Sequence, residues 1–319
     1  MTLKTPDGFE LIVDPAEPCP ELEGGVFAIG NFDGVHLGHR AVIERTRALA
    51  KSRGVAAAVL TFEPHPADYF AGRPVVFRLT PFAEKIRLFR ALGLEGAVVL
   101  SFDAAVAGLT AEAFVEQVLV GRLKVGTVIV GADFHFGKGR SGSPAFLAHS
   151  GETLGFGVEI LDKVESGRPG ADAAISSTAI RRALERGDVE TAALALGRPY
   201  SISGEVIRGR QLGRTLDMPT ANLAVEPTNR LAYGVYAVRA ELDGIVHDGV
   251  ASFGVRPTVE GVEPLLETFI FDFSADIYGK DLRVEIVARL RDELKFGSLE
   301  ELKLAMARDA EQARAVLKR

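Results

Sequence analysis

The sequence predicts an α/β domain with a parallel sheet, followed by an antiparallel β-barrel with a terminal helix. Through about residue 190, uninterrupted apolar segments alternate with helical patterns, which is typical of strands buried on both faces by flanking helices. Beyond about residue 200, several candidate strands alternate apolar with polar residues and are separated by Gly, Pro, Asn and Asp. A chain of 319 residues is long enough for two domains, and we place them at residues 1–190 and 191–319.

Apolar segments give the predicted strands of the first domain, which are residues 26–30, 56–62, 97–102, 125–130 and 158–164. Helical patterns cover residues 40–53, after the first of these strands, and residues 111–119, between the third and the fourth. Because repeated β–α alternation places successive strands side by side in one direction, we expect a parallel sheet with helices on both faces.

The strand candidates of the second domain are residues 200–207, 234–242, 246–254, 265–273 and 282–290. Their alternation and their turn-rich connections favour an antiparallel barrel. The chain ends in a predicted helix, since Ser298 with Glu301 three residues later forms a capping box. The residues expected on the apolar face of this helix are Leu299, Leu302, Met306, Ala313 and Leu317.

The composition is that of a soluble globular protein, with 47% hydrophobic and 25% charged residues. A net charge of −6 argues against a nucleic-acid partner, although a few local basic residues suffice to hold small anionic substrates. The single cysteine, Cys19, excludes an internal disulfide and a cysteine-based metal site. The N-terminus has no apolar signal segment, and no apolar run reaches the ~20 residues that span a bilayer. We therefore expect a cytoplasmic protein without a membrane partner; the sequence does not indicate an oligomeric state.

The most informative string is Gly-Asn-Phe-Asp-Gly-Val-His-Leu-Gly-His at residues 30–39, where the first strand ends and a helix begins. Ligands of open α/β sheets bind at the carboxyl ends of the strands, and a helix N-terminus attracts phosphate. His36 and His39 are expected to donate N–H groups to phosphoryl oxygens as charge develops, which predicts a nucleotidyl-transfer site. The alternative is a histidine pair that only caps the helix. The nucleotide contacts predicted in this string are Gly30, Asn31, Phe32, Asp33, Gly34 and Gly38.

A second string, at residues 175–181, ends in Arg181. Ser176, Ser177 and Thr178 are strong N-cap residues, and we interpret them as further nucleotide contacts at the start of a helix. Arg181 is a candidate to neutralise triphosphate charge with its planar set of donors. Taken alone, this string is equally well explained by a capped helix that carries a surface arginine.

A glycine-rich string at residues 131–140 superficially resembles a P-loop. Its spacing is one residue too long, and Gly139 stands where Ser or Thr must bind magnesium, so we reject a P-loop. We predict instead a loop over the nucleotide, with Asp133 and Arg140 as polar contacts. A glycine-rich surface turn is the alternative.

The second domain carries a Pro-Thr-Ala-Asn string that predicts a phosphoryl-transfer site. Thr220 and Asn222 supply hard oxygen ligands that suit Mg²⁺ on ATP phosphates. In the preceding segment, Gly209 and Gly213 allow main-chain N–H groups to approach phosphate, and Arg214 is a further predicted nucleotide contact. A proline-containing turn between strands is the alternative.

Glu267 lies amid apolar residues of a predicted strand. It is either a solvent-facing residue of an alternating strand or a general base. Phosphorylation of an alcohol requires a group that accepts the hydroxyl proton, and a positioned carboxylate is suited to that role.

Together these strings resemble the bacterial bifunctional riboflavin kinase/FMN adenylyltransferases, the FAD synthetase family. The most specific strings are residues 30–39, 61–66, 131–142, 175–181, 219–222 and 256–258, and the resemblance extends from about residue 26 to the C-terminal helix. It implies an N-terminal Rossmann-like nucleotidyltransferase domain and a C-terminal six-stranded riboflavin-kinase barrel. The implied reactions are ATP-dependent phosphorylation of riboflavin to FMN, and adenylylation of FMN to FAD with release of diphosphate.

The resemblance also implies roles for single residues. The ATP contacts that it implies for the adenylyltransferase are His36, His39, Asp133 and Arg181. It makes Thr220 and Asn222 the Mg–ATP pair of the kinase, and Glu267 its base. The flavin contacts expected on the same basis are Phe62, Pro64, His65 and Arg256.

Three departures from the family pattern lie in the kinase half. Asp217 and Met218 stand where Gly and an aromatic residue usually precede Pro-Thr-Ala-Asn. Ser252-Phe253 stands where Asn-Ile is common before Gly-x-Arg-Pro-Thr, and Phe269 stands where His commonly follows the base by two. Two other functions stay open: a single-activity FMN adenylyltransferase whose barrel only binds flavin, and a flavin-responsive regulator or carrier without turnover.

Overall fold

The computed structural model describes residues 2–17, 19–165, 174–208, 218–258 and 261–318 of the chain. Contacts divide the chain into two compact units, Met1–Ser176 and Ser177–Arg319. The predicted phosphate segment with Gly209, Gly213, Arg214 and Asp217 lies outside the described residues, and so does the side chain of Arg256. The assignment of the two activities to residues 1–190 and 191–319 stays a prediction.

The strands of the first unit are β1 Thr2–Lys4, β2 Glu10–Val13, β3 Val26–Ile29, β4 Ala57–Glu63, β5 Gly96–Ser101, β6 Thr127–Gly131 and β7 Gly157–Leu161. They form one sheet in the order β1-β2-β5-β4-β3-β6-β7. All neighbouring pairs are parallel except β1 with β2. This confirms the parallel sheet, to which the structure adds the short strands β1 and β2.

The helices of the first unit are α1 Leu37–Arg53, α2 Pro66–Ala71, α3 Phe82–Ala91, α4 Ala104–Gly108, α5 Ala111–Ala113 and α6 Pro144–Leu154. Helix α5 continues directly into a π-helix, Phe114–Arg122. Phe27 and Ile29 of β3 pack in one hydrophobic cluster, whereas Val26 and Ala28 pack in another. Because successive strand residues point to opposite faces, the sheet is buried on both sides, as its apolar strands predict.

The second unit begins with α7 Ser177–Glu185 and α8 Val189–Leu196. Its strands are β8 Tyr200–Ile207, β9 Thr220–Ala224, β10 Gly234–Leu242, β11 Ile245–Thr258, β12 Gly261–Ile270 and β13 Asp281–Arg291. These strands close into an antiparallel barrel in the order β10-β11-β12-β9-β8-β13. The barrel is confirmed. Helix α8 packs on β8 and β13, so α7 and α8 are part of the barrel unit.

The terminal helix, α9 Leu299–Leu317, is capped as predicted, because the Ser298 side chain accepts a hydrogen bond from the backbone N–H of Glu301. The predicted apolar face is wrong at its start, since Leu299 is 61% exposed. The buried residues of α9 lie in its second half, where Ala313 packs against strand residues such as Val235. Sequence periodicity shows which side of a helix is apolar, but not how far along the helix its partner extends.

Candidate active sites

The loop at residues 30–36, which we call the histidine loop, connects the carboxyl end of β3 to α1. Phe32 and Val35 adopt positive φ angles of 51° and 41°, in the left-handed region that side chains other than glycine rarely occupy. Gly34, with a φ of 93°, occupies that region at no steric cost. Strain of this kind costs on the order of 1–3 kcal/mol per residue and persists only where the surroundings enforce it. The buried ring of Phe32 supplies part of that support by packing edge-on against Phe89.

Asp33 holds the histidine loop to the segment that precedes α3. Its carboxylate, 2% exposed, accepts hydrogen bonds from the backbone N–H groups of Leu79 and Thr80, each at 3.0 Å to Oδ1. In return, the N–H of Gly34 donates to Thr80 Oγ1 at 2.8 Å. Asp33 therefore fixes the conformation of the loop, and its role as a nucleotide contact stays a prediction.

His36 and His39 lie together at the N-terminus of α1. His36 is the N-cap, and its Nδ1 accepts a hydrogen bond from the backbone N–H of His39 at 3.2 Å. The two rings stack with their centroids 3.6 Å apart. A Cβ atom on Gly38 would lie 3.1 Å from His36 Cε1, so glycine at this position leaves room for the stacked ring. The alternative that the histidine pair caps the helix is thus confirmed for Nδ1 of His36. Because Nδ1 accepts this hydrogen bond, a neutral His36 ring carries its proton on Nε2.

The surroundings of His39 keep its ring neutral. Burial lowers the pKa of His39 well below the ordinary value, and the neighbouring His36 and Lys85 lower it further. Nδ1 of His39 is buried without a hydrogen-bond partner in the part of the chain that the structure describes. A neutral imidazole donates a single N–H, so the His39 ring can donate one hydrogen bond without adding positive charge.

The string at residues 61–66 follows β4, the neighbour of β3 in the sheet. Nδ1 of His65 accepts a hydrogen bond from the N–H of Ala67 at 3.1 Å and so caps α2. Pro64 is exposed after a cis peptide bond. The buried ring of Phe62 contacts Phe102 and Phe114, which makes this end of β4 aromatic. The flavin roles of these residues remain predictions.

Glu63 forms a partly buried ionic cluster that the sequence did not indicate. Its Oε1 accepts hydrogen bonds from Arg78 Nη2 and from Lys85 Nζ, both at 2.6 Å. Burial disfavours the charged carboxylate, but the hydrogen bond from Arg78 and the charge of Lys85 outweigh it, so the pKa of Glu63 lies below its usual range. Only Glu63 belongs to a recognised string, because Arg78 and Lys85 lie in a segment without a motif.

The glycine-rich loop after β6 is anchored to the start of α5. A Cβ atom on Gly137 would lie 2.7 Å from the backbone nitrogen of Ala111, so only glycine allows this approach. Asp133 is exposed and lies 3.3 Å, carboxylate to ammonium, from Lys163. Arg140 is also exposed, with a positive φ of 58°. Both polar residues are accessible, and their contacts with a nucleotide stay predictions.

The string at residues 175–181 spans the division between the two units. Ser176 ends the first unit, and Ser177 begins both the second unit and α7. Thr178 is exposed and Arg181 is half-buried on this helix. The helix predicted here is confirmed, whereas the assignment of these four residues to adenylyl transfer stays a prediction.

The predicted kinase residues lie on neighbouring barrel strands. Glu267 of β12 is directly opposite Asn222 of β9 on one side and Ser252 of β11 on the other. Thr220 is opposite Phe269. Because opposite residues of antiparallel strands point to the same face, the five side chains form one group on the barrel.

Within this group the amide and the carboxylate have different environments. Asn222 is 5% exposed, and its Nδ2 donates to the carbonyl oxygen of Thr220 at 3.3 Å. Glu267 is exposed. Phe269, the residue that replaces a common histidine, packs instead against the cluster beneath α9, where its ring lies 5.7 Å from that of Phe271. This departure therefore extends an apolar cluster.

Comparison with protein families finds matches over both units. A model described as FAD synthetase matches residues 19–179, and a model described as riboflavin kinase matches residues 196–317. The chain is 41% identical over 300 residues to the bifunctional riboflavin kinase/FMN adenylyltransferase of Haemophilus influenzae, covering 92% of this chain and 94% of that protein. It is 37% identical over 304 residues to the enzyme of the same name from Bacillus subtilis, covering 92% of each.

A solved structure resembles the whole chain. It is the crystal structure of a macrolide-efflux protein from Streptococcus pneumoniae, with a TM-score of 0.82 and 30% sequence identity. The match covers 95% of this chain and 98% of that one. The α/β fold and the barrel therefore occur together in a protein that has been crystallised.

Proposed function

Because this chain belongs to the family of bifunctional riboflavin kinase/FMN adenylyltransferases, we propose that its two units carry out the two successive steps of FAD formation. The barrel transfers the γ-phosphoryl group of ATP to riboflavin and yields FMN and ADP. The α/β unit transfers the adenylyl group of a second ATP to FMN and yields FAD and diphosphate. The observation that carries the proposal is the presence of two separate groups of motif residues, His36 with His39 and Asn222 with Glu267.

Adenylyl transfer joins an FMN phosphate oxygen to the α-phosphorus of ATP and breaks the bond to diphosphate. A phosphate monoester is largely ionised near pH 7, so the reaction needs orientation and charge stabilisation but no general base. The N-terminus of α1 offers N–H groups to phosphate. His36 Nε2, which carries the proton of a neutral ring when Nδ1 accepts the capping bond, is a suitable donor to a phosphoryl oxygen.

We take the remaining nucleotide and flavin contacts of adenylyl transfer from the family pattern. We assign the triphosphate to the histidine loop, with Asp133, Arg140 and Arg181 as further contacts. Phe62, Pro64 and His65 are assigned to the flavin of FMN. Support for the flavin assignment comes from the aromatic rings at the end of β4, since a flat ring system packs well against aromatic side chains.

The kinase step requires a base, because riboflavin presents a neutral hydroxyl group. Glu267 accepts the hydroxyl proton as the oxygen–phosphorus bond forms and ADP leaves. Its carboxylate is exposed and therefore accessible to a substrate. Asn222, directly opposite, orients the reacting groups beside it.

A magnesium ion fits the oxygen donors of Thr220 and Asn222. These residues are two positions apart on β9 and point to one face, which suits an ion that keeps several waters and binds substrate phosphates. The described residues contain no cluster of three or more His, Cys, Asp or Glu side chains that would hold a metal without a substrate. Bound magnesium would neutralise phosphate charge, while Glu267 handles the proton.

Among the described residues, no helix has the length and apolar character required to cross a bilayer. A cytoplasmic location, and the lack of a nucleic-acid partner expected from the net charge of −6, remain predictions from composition. The oligomeric state is likewise open to measurement.

One assay tests the proposed function. Purified protein is incubated with riboflavin, ATP and Mg²⁺, and FMN, FAD, ADP and diphosphate are followed by chromatography. We expect FMN to appear first and FAD to follow. If FAD forms from supplied FMN but no FMN forms from riboflavin, the protein is a single-activity FMN adenylyltransferase. If both flavins bind without turnover, it is a flavin-responsive regulator or carrier.

A further inference from the structure

We propose that Lys85 is a positioning residue for adenylyl transfer, which holds the end of β4 in register with the histidine loop by binding Glu63. This inference rests on the proposed function of the first unit. Lys85 lies on α3, outside every motif of the sequence, and its side chain is 1% exposed.

Two cations converge on one carboxylate oxygen in this cluster. Lys85 Nζ and Arg78 Nη2 each lie 2.6 Å from Glu63 Oε1. Glu63 is the last residue of β4 and immediately precedes Pro64 and His65, the predicted flavin contacts. The ion pairs therefore fix the point at which the chain leaves the sheet toward those residues.

Lys85 belongs to residues 78–85, and the first residues of this segment bind the histidine loop. Arg78 Nε lies 4.0 Å from Asp33 Oδ1, and the next two residues, Leu79 and Thr80, donate their N–H groups to that carboxylate. Residues 78–85 thus connect the loop after β3 with the loop after β4. Since β3 and β4 are adjacent parallel strands, both loops emerge at the same edge of the sheet.

The stability of the fold does not account for a lysine at this position. Removing an ammonium group from water is costly, and replacing a buried ion pair with apolar residues of similar volume is often neutral or stabilising. A methionine would fill the same space with a straight side chain. The charge of Lys85 also lowers the pKa of His39, which places the ammonium group within electrostatic range of the histidine pair. A lysine at position 85 differs from a methionine in the positive charge that it places at this point, and not in how it packs.

A double-mutant cycle tests the proposal. Lys85→Met, Glu63→Gln and the variant with both changes are compared for FAD formation from supplied FMN. We expect Lys85→Met to lower kcat about 10²-fold, the size of effect that a misplacement of roughly 1 Å produces, with a smaller change in KM for ATP. Because Lys85 acts through Glu63, we expect the double variant to be no slower than Glu63→Gln.

Lys4 and Glu10 provide a matched control in the same sheet. Their ion pair also has a nitrogen–oxygen distance of 2.6 Å, with the carboxylate buried and the ammonium group exposed, and Glu10 begins β2 at the opposite end of the strands. The Lys4→Met and Glu10→Gln variants should retain wild-type FAD formation. FMN formation by the barrel, measured in every sample, normalises for the amount of protein, and the thermal unfolding of each full-length variant shows whether its first unit is folded.

Three results decide between the explanations. If the wild type forms no FAD, the proposed function is wrong. If the wild type forms FAD and Lys85→Met keeps its kcat, only the positioning role is wrong. If the single variant does not fold, the double variant, which has lost both charges of the ion pair, replaces it in the test. A fully additive cycle would also contradict action through Glu63.

Discussion

Asn222 and Glu267 lie directly opposite each other on β9 and β12, where a buried amide meets an exposed carboxylate. The buried amide is held by its own strand through the bond to Thr220, and Glu267 is exposed to solvent. Ser252 lies on the other side of Glu267, at a position where the family commonly has Asn. The carboxylate is therefore flanked by one amide and one hydroxyl group in this chain.

Glu267→Gln should lower FMN formation by about 10²-fold or more, within the range for loss of a general base. The amide keeps the shape of the carboxylate and still accepts a hydrogen bond, but it takes up no proton at neutral pH. FMN formation from riboflavin is measured, with FAD formation from supplied FMN as the internal reference. Glu263→Gln, an exposed residue on the same face of β12, is the matched control and should leave both reactions unchanged. Equal FMN formation in the two variants would remove Glu267 from the mechanism.

Arg181→Ala should lower the kcat of FAD formation by about 10²-fold, the order expected when one donor to developing charge is lost. FMN formation should be unaffected, because the barrel does not need this side chain for its own reaction. Arg182→Ala is the control, since Arg182 is the exposed next residue of α7. If the two variants form FAD equally well, Arg181 is a surface residue and not a phosphate ligand.

A fragment that contains residues 177–319 should form FMN and no FAD, and it should be more stable than one that starts at Pro199. The shorter fragment lacks α8, whose Val189, Ala192 and Leu196 are buried. Each large apolar side chain that loses its burial costs about 1.5–3 kcal/mol. Urea unfolding of the two fragments measures the difference. Equal stability would show that α8 is dispensable for the barrel, and FAD formation by either fragment would contradict the division of activities.

Asp309→Ala should destabilise the barrel by about 2–3 kcal/mol, because it leaves a partly buried guanidinium without its partner. Arg291 donates to both carboxylate oxygens of Asp309, at 2.8 and 2.7 Å. Thermal unfolding of the 177–319 fragment measures the loss. Asp272→Ala is the comparison, because the bidentate pair of Asp272 with Arg314 is exposed to solvent and should contribute much less. A loss of the same size in both variants would contradict this ranking.

Acidification should destabilise the first unit in two steps. The pKa of His39 is lower in the folded state than the ordinary value of 6.5. Below pH 6.5 the unfolded chain therefore binds a proton at His39 that the folded chain does not, and the free energy of unfolding decreases as the pH is lowered. The pKa of Glu63 in the folded state lies below the ordinary value of 4.5, so its contribution is complete above pH 4.5 and is lost as the pH falls through the folded value. Unfolding followed from pH 8 through pH 4.5 to about pH 2 measures both. His39→Gln should remove the upper step, and a variant with an unchanged pH profile would show that His39 binds its proton equally well in the folded and the unfolded chain.

The sequence predicted those features that depend on local pattern or on a motif. Strands β8 and β10 begin and end where their alternation predicts, and α1 follows β3 at the histidine string. Strand β9 was missed, because its five residues coincide with a motif that also reads as a turn.

The features that could not be predicted depend on contacts between distant segments. Arg78 and Lys85 meet Glu63 from 15 and 22 residues away, in a segment whose charges resemble those of any exposed helix. The left-handed conformations of Phe32 and Val35 also depend on tertiary support, since their residue types disfavour them. Local pattern thus located the candidate sites, but not the residues that hold them.

Among the strands that the structure describes, the barrel has no edge strand, whereas the sheet of the first unit is open. Every barrel strand is paired on both sides, whereas the sheet of the first unit ends, among the described residues, in β1 and β7. A free strand edge is a template for pairing with another chain. Strand β1 is only three residues long, so it offers little template, but β7 has five and carries an exposed Ile160. Intermolecular aggregation of heated samples should therefore begin at β7, where the ion pair of Glu159 with Arg45 is the charged group that opposes it.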